Sequence, residues 1–241
     1  MDAGAPFVLV HGAWHGGWCW QRLAPLLRAT GHEVYTPTLT GLGERAHLLA
    51  PTIDLTTHID DVLAVLMYED LTDVILVGHS YGGMVISGLI ERASERIAQA
   101  VYLDAFLPEH GESIRDLGLP GLDELAATHG EGWRLPSLGT AAEFGVSDPH
   151  DAAWVDARLG DQPYATFTQP ITLSSRGAAI PGAFILTSGG LFPAHADRAR
   201  VRGFTVREFP EAGHDSMVTM PGLLAAMILD LVHTASPVTT S

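Results

Sequence analysis

The chain has 241 residues, 46% of them hydrophobic and 17% charged, which suits one folded domain with a sizeable core and excludes a disordered chain. A formal net charge of −15, with all 13 basic residues arginine, would repel nucleic acid and anionic membranes. Cys19 stands alone, so neither an intrachain disulfide nor a Cys-rich metal site can form. No apolar run reaches the length of a membrane span, and the first six residues lack the basic and apolar segments of a secretory signal, so a cytoplasmic location is expected.

Taken in order, Phe7–Val10 reads as a buried strand running straight into His11-Gly12-Ala13. A helical pattern covers Trp20–Arg28 and ends at Gly31, placed as a C′ glycine. Val34–Thr36 is a short strand stopped by Pro37. Thr56 is expected to cap a second helix, with Ile59, Val62, Leu63, Leu66 and Met67 at helical spacing. Strand Val74–Val77 and helix Met84–Arg92 follow, then strand Ala100–Leu103 ending at Asp104. Residues 108–180 are rich in Gly, Pro and polar residues, with scattered aromatics and one short helical fragment, Ala152–Leu159. Alternation resumes with strand Ala183–Thr187, helix Ala194–Val201, strand Phe204–Glu208 and a terminal helix Met217–Val232; a polar tail from Thr234 closes the chain.

Strand–helix alternation of this kind predicts an α/β fold with a doubly wound, mostly parallel sheet. Residues 1–107 and 181–241 would form its core, with 108–180 inserted as a small cap. Ligands in such folds bind beyond the C-terminal strand ends. His11, Ser80, Asp104 and His214 all follow strands in this reading, so they point to one site.

Gly78-His79-Ser80-Tyr81-Gly82 is the sharpest motif, a G-x-S-x-G sequence between an apolar strand and a helix. The turn would hold Ser80 in a strained conformation, with glycines letting strand and helix approach. A serine hydroxyl needs a neighbouring base, and the base an orienting carboxylate. His214, after the last strand, is the expected base. Backbone N–H groups of Tyr81 and Ala13 would form an oxyanion hole, with Gly12 letting the backbone turn inward.

These residues resemble the α/β-hydrolases, and more narrowly their plant methyl-esterase and hydroxynitrile-lyase branch. The resemblance rests on Phe7-Val-Leu-Val-His-Gly-Ala-Trp-His-Gly-Gly-Trp18, Gly31-His32, Val74–Met84 and Gly213-His214. It covers roughly residues 6–108 and 180–232. It implies an aspartate in the loop after the Ala183–Thr187 strand, yet Thr187–Pro193 holds no carboxylate. Asp104 is the preferred acid instead, because Tyr102-Leu-Asp-Ala105 is similar to the acid-bearing stretch of haloalkane dehalogenases; Asp197 comes later, inside the expected helix, and Asp215 adjoins His214 and should point elsewhere.

The expected function is hydrolysis of a small, mostly apolar ester, thioester or lactone through an acyl-enzyme, with no metal or organic cofactor. Gly12, Trp14, Trp133 and Trp154 are the candidate substrate-binding residues. The lyase alternative keeps the triad, but the resemblance calls there for Thr at position 12 and Lys at position 215. A third reading is a non-hydrolytic ligand-binding or biosynthetic helper protein on the same scaffold. A small-molecule substrate is the partner implied; the sequence leaves open whether the chain forms a homodimer.

Overall fold

A computed structural model describes residues 4–119, 121–188 and 192–235. Residues 189–191, within the stretch Thr187–Pro193 expected to be a loop, and residues 236–241 lie outside this set. The central sheet has six strands: β1 (Gly4–Val10), β2 (His32–Tyr35), β3 (Val74–His79), β4 (Ile97–Leu103), β7 (Gly182–Thr187) and β8 (Thr205–Phe209). They lie in the order β2-β1-β3-β4-β7-β8, and every neighbouring pair is parallel.

Successive residues of these strands face opposite sides, and both sides are covered. Val74 and Leu76 join one hydrophobic cluster, while Ile75 and Val77 join the other. Val8 and Val10 alternate with Phe7 and Leu9 in the same way. A strand covered on both faces favours apolar side chains at successive positions, which is why Val74–Val77 of β3 reads as an apolar run.

The helices refine the sequence reading at three places. Helix α2 (Leu55–Tyr68) is capped by Asp54 rather than Thr56. The Asp54 carboxylate accepts from the Thr57 N–H at 2.9 Å, and the Thr57 hydroxyl returns to the Asp54 backbone. Instead of one helix over 20–28 there is a 3₁₀ turn at Gly17–Trp20, then the short α1 (Ala24–Arg28), whose first turn holds Pro25. The terminal helix is likewise divided into α8 (Ser216–Thr219) and α9 (Pro221–Ala235). Proline has no N–H to donate into a preceding turn, so it starts helices more readily than it continues them.

Residues 108–180 hold α4 (Leu122–His129), α5 (Pro149–Asp156), α6 (Ala165–Thr168) and an antiparallel pair, β5 (Arg134–Leu135) and β6 (Gln162–Pro163). Their apolar side chains enter both clusters. Ile114, Leu122, Leu135 and Phe167 pack in the first, and Ala141, Val146 and Val155 in the second.

Candidate active site

The sheet order reverses between β1 and β3: β2 lies on one side of β1, and the chain returns to build outward from β3 on the other. Ligands gather at such a switch point. Val10 pairs with Gly78, so the segment after β1 and the segment after β3 emerge side by side. A Cβ placed on Gly12 would lie 3.0 Å from the Ser80 Cβ and 2.9 Å from His79 Nδ1, so no side chain fits between them.

Ser80 has φ +52°, in the left-handed region that a non-glycine residue occupies only under constraint. The constraint is visible. Its N–H donates to the Leu103 carbonyl at 3.2 Å, and its own carbonyl accepts from Gly83 at 3.0 Å and Phe106 at 3.1 Å. Helix α3 (Gly82–Ala93) starts immediately behind it. A Cβ on Gly83 would stand 2.0 Å from the Phe106 carbonyl oxygen, so this approach of helix to loop requires glycine. The serine is buried but not sealed, at 9% exposure.

Tyr81 precedes α3, and its phenol donates to His58 Nδ1 at 2.8 Å. His58 Nε2–H donates in turn to the Thr40 carbonyl at 2.9 Å. This pattern requires a neutral ring, and burial pushes the His58 pKa down to about 4. Among the described residues no hydrogen bond uses the backbone N–H of Ala13 or of Tyr81. Tyr81 follows Ser80 directly, and Ala13 follows Gly12, whose Cβ position faces the Ser80 Cβ.

Asp104 ends β4 in another positive-φ conformation, +42°. Its carboxylate is fully buried; Oδ1 accepts the Thr187 N–H at 3.2 Å, and Oδ2 accepts from His214 Nδ1 at 2.7 Å. Phe192 stacks on the His214 ring, with centroids 5.5 Å apart and planes 9° from parallel. His79 lies on it at 4.3 Å and donates from Nε2 to the His214 carbonyl at 3.1 Å. With Nδ1 held by the carboxylate, the Nε2 edge is left to act on a substrate or hydroxyl. Among the described residues no hydrogen bond joins it to Ser80. Such bonds are often long in unliganded sites and tighten when substrate binds.

A strained serine after the third strand and an imidazole held by a carboxylate is an arrangement with known relatives. The sequence pattern described as the alpha/beta hydrolase family matches residues 7–227. The chain belongs to the alpha/beta hydrolase family. This alpha/beta hydrolase is 43% identical, over 94% of its length and 99% of the relative's, to a carbendazim hydrolyzing esterase of Nocardioides sp. (strain SG-4G). It is 41% identical to methylesterase 1 of Arabidopsis thaliana over 121 residues, 45% of this chain and 43% of that one. An extracellular alpha/beta-hydrolase from a Paenibacillus species has the same fold, with TM-score 0.83 at 23% identity over 95% of this hydrolase and 99% of its own chain. The resemblance to the plant methyl-esterase branch therefore holds.

Of the four residues expected to bind substrate, the hydrolase brings Gly12 and Trp14 to this place. Trp14, 7% exposed with φ +64°, stacks on Phe144 and meets Phe167 edge-on. Phe144 also touches the His214 ring, at 5.9 Å. The indole N–H of Trp14 donates to the Leu135 carbonyl at 2.9 Å, tying it to residues 108–180. The described contacts of Trp133 and Trp154 are of another kind. Trp154 lies edge-on to Trp18 beneath the guanidinium groups of Arg22 and Arg158, at 5.6 and 4.6 Å. Trp133 is covered by Arg134 at 5.3 Å. Both rings are committed to cation–π packing, a frequent fate of half-buried tryptophans that sequence alone does not separate from pocket lining.

Sequence reasoning missed Phe144, Phe192 and the supporting role of His79. His79 was signalled as the last residue of a fully buried strand, where a polar side chain must find a partner. Asp197, the carboxylate later in the chain, is exposed and paired with Arg200 at 2.7 Å. The one cluster of metal-binding residue types among the described residues, Asp148, His150 and Asp151, is already used: Asp148 caps α5 and Asp151 binds Arg22. A cavity of about 540 Å³ beside α3, lined by Ile90, Tyr102, Leu173, Arg202 and Phe204 among others, shares no lining residue with the Ser80 site.

Proposed function

We propose that this chain hydrolyses small, mostly apolar carboxylic esters, thioesters or lactones, with Ser80 as nucleophile, His214 as base and Asp104 as the carboxylate that orients it. The observation that carries the reading is the His214–Asp104 contact beside a serine held at positive φ. The esterase named among its relatives, alignable over nearly the whole chain, supports it.

In this mechanism Ser80 Oγ attacks the substrate carbonyl carbon as His214 Nε2 takes its proton. The oxygen that gains charge is held by the N–H groups of Ala13 and Tyr81. Asp104, hydrogen-bonded to Nδ1, fixes the tautomer and stabilises the imidazolium. The leaving alcohol, thiol or lactone oxygen then takes the proton from Nε2, leaving an acyl-serine. A water deprotonated by His214 attacks that ester, and the carboxylic acid leaves as Ser80 recovers its proton. Trp14, Phe144 and Phe192 supply an apolar wall for the acyl group. Residues 108–180 serve as the cap, anchored to the site through the bonds of Trp14 to Leu135 and Gln162.

The lyase alternative is disfavoured by the same site. Asp215 follows His214 where the lyase pattern calls for a lysine, and its carboxylate is buried against His15 at 3.1 Å. Gly12 has no room for a threonine side chain between Ser80 and His79. A panel of p-nitrophenyl esters of rising chain length, simple lactones and a cyanohydrin tests the reading. Ester or lactone turnover without cyanohydrin cleavage is expected. A folded protein that turns over none of them, and whose Ser80 resists a fluorophosphonate probe, would instead point to a binding or helper protein.

A further inference from the structure

His15 and Asp215 lie 200 residues apart in the chain and meet at 3.1 Å, both fully enclosed. The mechanism above uses neither. The other ring nitrogen of His15 lies 2.7 Å from the carbonyl oxygen of Ala13. With Asp215 as the carboxylate, neither acceptor has a proton to give, so both ring nitrogens donate and the ring is an imidazolium. Burial alone would pull its pKa down; the charge and hydrogen bond of Asp215, with the Ala13 carbonyl, reverse that and leave it raised.

A buried ion pair is poor evidence of stabilisation, because desolvation offsets most of the attraction and apolar replacements often do as well. Its value lies in fixing geometry. Here the two ends of the pair belong to the two halves of the site. Ala13 carries one of the N–H groups that the ester-hydrolase reading assigns to the oxyanion, and Asp215 is bonded directly to His214. The Asp215 N–H is also fixed, donating to the Phe144 carbonyl at 2.9 Å. The same Ala13–Trp14 peptide whose carbonyl meets His15 is also held at its other end, since the Trp14 N–H donates to Gln162 Oε1 at 3.2 Å; the Ala13 N–H is one Cα away from it.

We propose that His15 and Asp215 form a positioning latch that fixes the Ala13 N–H relative to the His214 imidazole, so that oxyanion donor and base meet one substrate carbonyl. The inference rests on the ester-hydrolase reading of Ser80 and His214. The latch acts on the transition state more than on substrate binding, because the donor matters most once charge has developed on the oxygen. It also gives the reaction an alkaline limit: once His15 loses its proton, one of its two bonds must break. The groups facing that ring are Asp215 from the segment before α8, His79 from the end of β3 at 6.0 Å, and His11 after β1, with Trp18 and Phe144 as its aromatic neighbours.

The experiment compares His15→Gln and Asp215→Asn with wild type. It measures kcat, KM and the pH profile on a p-nitrophenyl ester, and Ser80 labelling by a fluorophosphonate. Glutamine cannot hold both acceptors; asparagine keeps a hydrogen-bond acceptor for His15 but removes the charge. Expected are folded variants that still label at Ser80, with kcat lowered about tenfold or more and KM within about threefold of wild type. The alkaline limb should move to lower pH in Asp215→Asn and vanish in His15→Gln. Should the single variants fail to fold, the neutral double variant His15→Gln/Asp215→Asn, which restores a hydrogen-bonded pair without charge, is expected to fold and to lack the alkaline limb. Wild-type kcat and an unmoved pH profile in whichever variants fold would overturn the latch. A wild-type enzyme that neither labels at Ser80 nor turns over ester would overturn the hydrolase reading instead.

Discussion

Asp104 Oδ2 and His214 Nδ1 stand 2.7 Å apart although 110 positions separate them in the chain. β4 delivers the carboxylate and the loop after β8 delivers the imidazole. Thr187, at the end of β7 between those strands, holds the second carboxylate oxygen through its N–H. The acid therefore reaches the histidine from the strand next to the serine strand.

From this contact, Asp104→Asn should lower kcat by about 10³- to 10⁴-fold, because the amide presents the wrong hydrogen-bonding pattern to Nδ1 and disturbs the tautomer. Asp197→Asn should leave kcat within about twofold of wild type, since that exposed carboxylate contacts only Arg200 among the groups described. Steady-state kinetics on one ester decides between them. Equal loss in both variants would contradict the assignment.

Gly12→Ala adds a methyl 3.0 Å from the Ser80 Cβ and 2.9 Å from His79 Nδ1. The neighbours must shift, and Ser80 is one of them. A loss of about tenfold or more in kcat is expected, with a smaller change in the thermal midpoint. Wild-type turnover would show that the two loops are not fixed against each other.

Trp14→Ala should raise KM for apolar esters by about tenfold, because it removes the wall that stacks on Phe144. Trp133→Ala and Trp154→Ala should leave KM unchanged, and Trp154→Ala should lower thermal stability through its lost packing on Trp18 and two arginines. A KM effect at Trp154 as large as that at Trp14 would contradict the placement of the site.

Stability should fall as pH drops below about 6.5, the pKa of an unfolded histidine. Burial lowers His11 to about 3 and His58 to about 4 in the fold. Between those values and 6.5 the unfolded chain binds protons that the folded chain does not, so each histidine costs about 1.4 kcal/mol per pH unit across its window. His15 has the opposite sign: its raised pKa contributes stability below 6.5 that is lost as pH rises through the folded value. Urea melts at stepped pH should show the acid slope, and His58→Gln should flatten it. An unchanged slope in that variant would refute the assignment of a neutral buried His58.

Much of the site was legible because its evidence is local. Val74–Gly82 carries the buried strand, the glycines and Ser80 within nine adjacent positions, and no other part of the fold is needed to read it. Asp104 could be named only by weighing two family patterns, because its contact with His214 depends on the sheet order. The ion pair of His15 with Asp215 was out of reach for the same reason. Trp133 and Trp154 show a different limit: composition reveals that a segment is aromatic, but not which rings an arginine will cover. The cap of α2 failed on a choice between Asp54 and Thr56, two residues that both cap well, and only the Thr57 hydroxyl returning to Asp54 separates them.

The most direct test of the whole account is mass spectrometry after fluorophosphonate treatment, with ester turnover measured in parallel on wild type and Ser80→Ala. The account predicts one covalent adduct, on the peptide containing Ser80, and at least about a 10³-fold loss of turnover in a variant that melts like wild type. An adduct on another residue, or wild-type turnover in Ser80→Ala, would contradict it.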